Sequence, residues 1–300
     1  MNFLMQHPVK GNNCDICQII DTLMEQNLNL AFQGDSVMLQ AVNGLECELS
    51  RQGYNVSTTD TVIRELGEIA ETAISPYLDW NISSNWKYGL IKVYNITVTR
   101  ANEPLGDKAK ISLFHMYRPF QDNHEIDHIA KNNDIVVFDH SLHWYPFDMY
   151  EYQFSMAQML RGYKETMKDG KHKKKLLAWR ETTAQHFPTP TGDYIGGESG
   201  FPQCFPIDEE LVPDRPFRTT LMHRAADMAG FRVVNALNPH TKQDENHSEN
   251  HRELVMLPFY RFSRENFKLH GEDCTHYCHT PHMWLSIWRS LRLSIDRVFL

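Results

Sequence analysis

The stretch GEDCTHYCHTPHMW, Gly271 to Trp284, holds two cysteines, three histidines and Asp273 in one short loop. Three chemistries suit such a cluster. An acid at i and a histidine at i+3, here Asp273 and His276, can set the carboxylate beside the imidazole, fixing its tautomer and stabilising the imidazolium, which is the acid–base half of a serine triad. Cys274, His276, Cys278, His279 and His282 are also zinc-ligand types. No second pair with finger-like spacing accompanies them, however, and CDIC at Cys14–Cys17 is a single distant pair, so no metal is assigned. Disulfide formation is the third chemistry. A nucleophile for the first is found far upstream in FQGDSVMLQAVNGLECEL, where Gly34, Asp35 and Ser36 lie between an apolar strand and a helical pattern. A serine at a helix N-terminus sits where amide groups and the helix dipole favour developing negative charge. Alone, the same serine reads as a helix N-cap.

The elements that must position these residues alternate. Strand-like runs at 28–32, 111–117, 134–138, 176–179 and 231–234 are interleaved with helical patterns near 36–51, 147–167 and 219–229, and with a terminal helix. Such alternation predicts an α/β fold, a three-layer sandwich around a mostly parallel sheet, with sites at the carboxyl ends of the strands. Thr280 as N-cap and Pro281 in the first turn open the terminal helix, and Trp284, Ile287, Trp288, Leu291 and Ile295 share its inner face. The chain reads as a single domain over 1–300, with a Gly- and Pro-rich surface excursion at about 182–218 and a polar loop at 238–252.

Composition narrows the partners. A net charge of −8 gives no general affinity for nucleic acid or anionic membranes, and the one basic run, Lys168 to Lys175, reads as a solvated turn or a local anion dock. No segment is long and apolar enough to span a bilayer, and no signal peptide is visible at the first residues. Four glycosylation sequons, at Asn55, Asn81, Asn95 and Asn246, and an even number of cysteines point toward an oxidising compartment. The expectation is the secretory pathway, Golgi lumen or extracellular, with a missing leader or anchor reconciling the signs.

GDS at 34–36, DIVVFDHSLHW at 134–144, WRETTAQHF at 179–187 and GEDCTHYC at 271–278 occur in an order that resembles the SGNH (GDSL-like) hydrolases. Within these the chain is similar to the PC-esterase group, which includes the plant trichome-birefringence-like polysaccharide O-acetyltransferases. The resemblance implies an SGNH-hydrolase fold, related to the flavodoxin-like layout, with Ser36 as nucleophile, His276 as base and then acid, and Asp273 as its orienting partner. An acyl-serine would pass its group to water, as in an esterase, or to a glycan hydroxyl, as in an O-acetyltransferase. No cofactor is implied; an acyl donor such as acetyl-CoA would be a substrate.

The family's oxyanion hole combines a nucleophile amide, a Gly and an Asn. Here the Asn position is Asp139, which cannot donate unless protonated, and a nearby Gly is replaced by Ser141. Gly34, Arg118, Ser141 and His143 are therefore candidate donors or substrate contacts. His186 is read as structural or substrate-positioning, and Trp144 and Tyr145 as core or sugar-stacking residues. The resemblance further implies that Cys274 and Cys278 are bridged to other cysteines, from among Cys14, Cys17, Cys47 and Cys204, and pin the catalytic loop. Two other functions stay open: a catalytically silent glycan-binding module that has lost its oxyanion donor, and a metal-dependent protein using the Cys/His cluster.

Overall fold

In the segment Asp15–Glu25 (α1), Ile16, Ile19, Ile20, Leu23 and Met24 recur three and four residues apart and all are buried, the pattern of an amphipathic helix. The computed structural model describes residues 14–62, 90–103, 106–117, 119, 123–144, 149–167, 174–189, 191–194, 203–207, 217–239, 252–270, 273–277 and 281–300. After α1 come β1 (Asn29–Gly34), α2 (Ser36–Arg51), β2 (Tyr54–Val62), β3 (Leu90–Arg100), β4 (Ala109–Met116) and α3 (Asn123–Asn132). Then follow β5 (Ile135–Asp139), α4 (Met149–Thr166), β6 (Leu176–Arg180), α5 (Phe217–Met228), β7 (Phe231–Asn235) and β8 (Arg252–Leu257). A short helix α6 (Tyr260–Glu265), a 3₁₀ turn at Phe267–Leu269 and α7 (Pro281–Phe299) complete the described elements.

The eight strands form one sheet in the order β2-β3-β4-β1-β5-β6-β8-β7, in which only β3 runs against the others. Because side chains alternate along a strand, each central strand feeds two cores. Leu30 and Phe32 of β1, Ile135 and Val137 of β5, and Val255 and Leu257 of β8 join a cluster with α1, α2 and α7. Ala31, Val136, Phe138, Leu254 and Met256 join a second cluster with α3, α4 and α5. The sheet thus lies between two helical layers, as the alternation of elements implies.

Strand β1 sits at the centre. The chain leaves it through α2 toward β2 on one side, and β4 crosses it through α3 to reach β5 on the other. That reversal of direction opens a crevice beside the carboxyl end of β1. There the strands approach closely: a Cβ on Gly34 would lie 2.5 Å from the Asp139 carbonyl oxygen and 2.7 Å from Met38 Cβ.

Several expectations are corrected. The opening limb of the 182–218 excursion, Thr182 to Phe187, is buried against the fold and is not a surface segment. Of the two readings of Trp144 the core one holds, with its ring against Tyr152. Sequon Asn55 is exposed on β2, at the edge of the sheet, but Asn95 is half-buried in β3 and its side-chain oxygen accepts the Ser112 hydroxyl. Arg118, Tyr145, Cys278, Thr280, Asn81 and Asn246 lie outside the described residues, as does most of the basic run.

Gly34→Ala has no room for its methyl group without moving a backbone carbonyl. It is expected to lower stability by about 1–3 kcal/mol, read by urea denaturation.

Candidate active site

Ser36 is the first residue of α2, and the helix is capped by the residue before it. Asp35 is extended, with φ −80° and ψ −167°, and its Oδ1 accepts the Val37 amide at 3.0 Å. The cap takes the Val37 amide and leaves the Ser36 amide outside it. Ser36 is half-buried.

From 240 residues away in sequence, His276 brings Nε2 to 2.6 Å from Ser36 Oγ. Its Nδ1 lies 2.6 Å from Asp273 Oδ2, while Asp273 Oδ1 accepts the Thr275 and His276 amides, each at 2.7 Å. The i, i+3 spacing legible in the sequence is thus a tight turn in which the acid holds both the ring and the backbone of its histidine. The hydrogen bond to Asp273 raises the pKa of His276 above the ordinary histidine range, against the opposing effect of burial. Burial pushes the Asp273 carboxyl up, but its hydrogen bonds to the His276 ring and to the His276 and Thr275 amides outweigh this and hold it far below the usual range. As pH falls, His276 is protonated first, and Nε2 loses the lone pair that accepts from Ser36.

The loop 273–277 has no helix or strand of its own, yet each residue is tied. Cys274 is bridged to Cys204, and its carbonyl accepts the His186 amide at 2.9 Å. Thr275 Oγ1 accepts from Gln185 Nε2 at 3.0 Å. The Gln40 side chain donates to the Tyr277 carbonyl and accepts its amide, at 3.1 and 3.2 Å. Gln40 lies one helical turn beyond Ser36, so the same face of α2 carries both the serine and the clamp on the loop that meets it. Tyr277 is buried and donates its hydroxyl to the Ala184 carbonyl at 2.7 Å.

The remaining candidates are placed differently. Asp139 is fully buried and forms an ion pair with buried Arg180, and its other oxygen accepts the Ser141 amide at 3.1 Å. Burial raises the Asp139 pKa to about 6, Arg180 opposing and Asp35 reinforcing the shift. Burial likewise raises Asp35. Arg180 also donates to Thr183, so its guanidinium is committed to the interior. Ser141 is buried and donates its hydroxyl to Thr182 at 2.7 Å. His186 is buried away from Ser36 and contacts His270. His143 alone of this group is exposed, its ring 4.0 Å from that of Tyr117 after β4. Gly34 serves the close approach of β1 to β5.

Of the cysteine candidates, Cys14–Cys17 and Cys204–Cys274 are bridged. Cys47 is an exposed free thiol on α2, which corrects its expected place among the bridges. The two disulfides fit an oxidising environment. Among the described residues no three His, Cys, Asp or Glu side chains are grouped to hold a metal ion, and no helix is long and apolar enough to cross a membrane. Gln40, Arg180, His270 and the capping role of Asp35 are not among the sequence expectations. Gln40 has a signal in its spacing of four from Ser36, and so does the Asp35 cap, an Asp just before a helical pattern, while Arg180 and His270 depend on contacts between distant segments.

Asp273→Asn removes the charge that supports the imidazolium, so the His276 titration followed by NMR is expected to move to lower pH. The Cys204→Ser, Cys274→Ser double variant opens a loop of sequence separation 70, against 3 for the other bridge. Chain entropy gives about 4 kcal/mol for the longer loop and about 2 kcal/mol for the shorter. Denaturation of the double variant is expected to show the larger loss, compared with Cys14→Ser, Cys17→Ser.

In comparisons with known proteins, no family model matches the chain and no curated protein sequence matches it at a significant level.

Proposed function

We propose that this protein is a serine-dependent acyl-ester enzyme of SGNH type, an O-acyltransferase or acyl esterase that works through an acyl-serine. The observation that carries the reading is the continuous line from Ser36 Oγ through the two nitrogens of His276 to Asp273, with both links at 2.6 Å. In this reading neutral His276 takes the serine proton as Oγ attacks an acyl carbonyl, and then returns it to the leaving group. The Ser36 amide at the head of α2 supplies one oxyanion donor. Asp139 does not act as the Asn of the family pattern, because its carboxylate faces Arg180; its role is to neutralise that buried cation.

The glycan part of the proposal, O-acetyl groups on a polysaccharide, draws on the resemblance to the PC-esterase group. The placement in the secretory pathway draws on the two disulfides and on the exposed Asn55 sequon. Neither requires a cofactor. The second reading, a silent glycan-binding module, is favoured by one observation, the absence of an amide side chain at Asp139.

A fluorophosphonate applied to the oxidised protein separates the two. An adduct located on Ser36 by mass spectrometry, and absent from Ser36→Ala, is expected. An unlabelled, folded wild type would leave the binding module. With p-nitrophenyl acetate as probe, turnover is expected to fall as pH drops through the raised pKa of His276. Asp273→Asn is expected to lower kcat on the order of 10³–10⁴-fold.

A further inference from the structure

The geometry points to His270 as a positioning residue for His276, its donor to the His276 carbonyl braced by a ring-to-ring contact with His186. This inference rests on the serine–histidine reading above. His270 Nδ1 lies 2.9 Å from the His276 carbonyl oxygen, and its Nε2 lies 2.6 Å from His186 Nδ1. His186 Nε2 in turn lies 3.1 Å from the Arg264 carbonyl oxygen. Nothing in the acylation chemistry uses either ring.

Proton counting defines the pair. A carbonyl oxygen only accepts, so His270 Nδ1 and His186 Nε2 must both carry hydrogen. Two neutral imidazoles hold two ring protons in total, and those two positions consume them. The middle contact would then set lone pair against lone pair. One further proton lets all three hydrogen bonds form. A fourth would set N–H against N–H. The full set of three hydrogen bonds thus calls for one extra proton, shared between Nδ1 and Nε2.

The groups around the pair act in both directions. The Asp273 carboxylate favours the proton on His270, the His276 ring opposes it, and burial opposes it on both rings. The Tyr277 ring is stacked on His270 with centroids 4.2 Å apart, an aromatic face that favours a cationic imidazole. On the other side His186 meets the Phe267 ring at 6.1 Å and Arg264 through its carbonyl. Because burial lowers both histidines, that proton is taken up only as pH falls, and above that range the pair supplies the donor from His270 Nδ1 to the His276 carbonyl.

The consequence for the site is geometric. His276 is held at its ring by Asp273 and at its amide by the same carboxylate, and His270 fixes its remaining polar group, the carbonyl. His186 braces His270 from the buried limb that follows β6. A displacement of the base by a fraction of an ångström is costly to rate, so a second-rank contact of this kind is visible in kcat.

Two near-isosteric variants separate the donor from the pair. His270→Asn places an amide nitrogen where Nδ1 stood, keeping the donor to His276 and losing the contact with His186. His270→Gln places its amide near the Nε2 position, keeping the contact and losing the donor. With p-nitrophenyl acetate, His270→Gln is expected to lower kcat about tenfold at unchanged KM, and His270→Asn, which keeps the donor but loses the brace from His186, to lower it by a smaller factor. Nitrogen-15 NMR of the wild type is expected to show a proton coupled to two histidine nitrogens as pH falls, absent from both variants. Wild-type kcat in His270→Gln, or the two rings titrating independently with no bridging proton, would overturn the proposal. Failure of the serine reading is recognised separately, by absence of the fluorophosphonate adduct in the wild type, and leaves the bridging-proton measurement intact.

Discussion

His276 reaches Ser36 because a five-residue loop without regular structure is fixed at every residue. Loops of this kind ordinarily wander, since they lack the ladder of backbone hydrogen bonds that holds a strand or helix. Here the ladder is replaced by a disulfide, a side-chain amide from the helix that begins at Ser36, a tyrosine hydroxyl driven into the core and a carboxylate that binds two consecutive amides. The anchors outside the loop are Gln40 on α2, Ala184 on the limb after β6 and Cys204. The first two follow strands of the sheet, so much of the precision of the serine–histidine contact is inherited from β1 and β6.

Beneath the site lies an unusual distribution of charge. Asp35, Asp139 and Arg180 are all fully buried, two carboxylates for one guanidinium. An unpaired charge in the interior is strongly disfavoured. The Val37 amide partners Asp35 Oδ1 and the Ser141 amide partners Asp139 Oδ1, while Asp35 Oδ2 has no hydrogen-bond partner and burial raises the Asp35 pKa. The result joins the ends of β1, β5 and β6 at the level where the crevice opens, and it makes the floor of the site rigid. An aspartate at 139 is thus understandable as the partner of Arg180, where an asparagine could not neutralise the guanidinium.

Much of this was legible in the chain, and what was not has physical reasons. The central strands are buried on both faces and therefore stand out as apolar runs, and α2 and α7 declare themselves by caps and periodicity. Strands β2 and β3 lack that signal: β2 is largely exposed and threonine-rich, and among the described side chains of β3 Ile96 and Val98 enter one core while Val93 enters the other, so no apolar run forms. The helical spacing in α1 and the apolar run of β8 do carry a signal, though the sequence expectations do not include these elements. At the site, Ser36, Asp273 and His276 could be named because they sit in short motifs. The links through Gln40, Arg180 and His270 join segments tens to hundreds of residues apart, and neither periodicity nor spacing encodes such partners. Cysteine pairing was equally out of reach, since it depends on which Cα atoms the finished fold brings within bonding distance.

The separation of 240 residues between serine and histidine also has a bearing on biosynthesis. A chain emerging from the ribosome exposes Ser36 early, with α2 able to form as soon as β1 has somewhere to pair. Its hydrogen-bond partner His276 is made only after β8 and α6, and the loop that carries it gains its covalent anchor once Cys204 and Cys274 are bridged. Long-range assembly of this sort slows folding, and it places translation, oxidation and the meeting of serine with histidine in a fixed sequence.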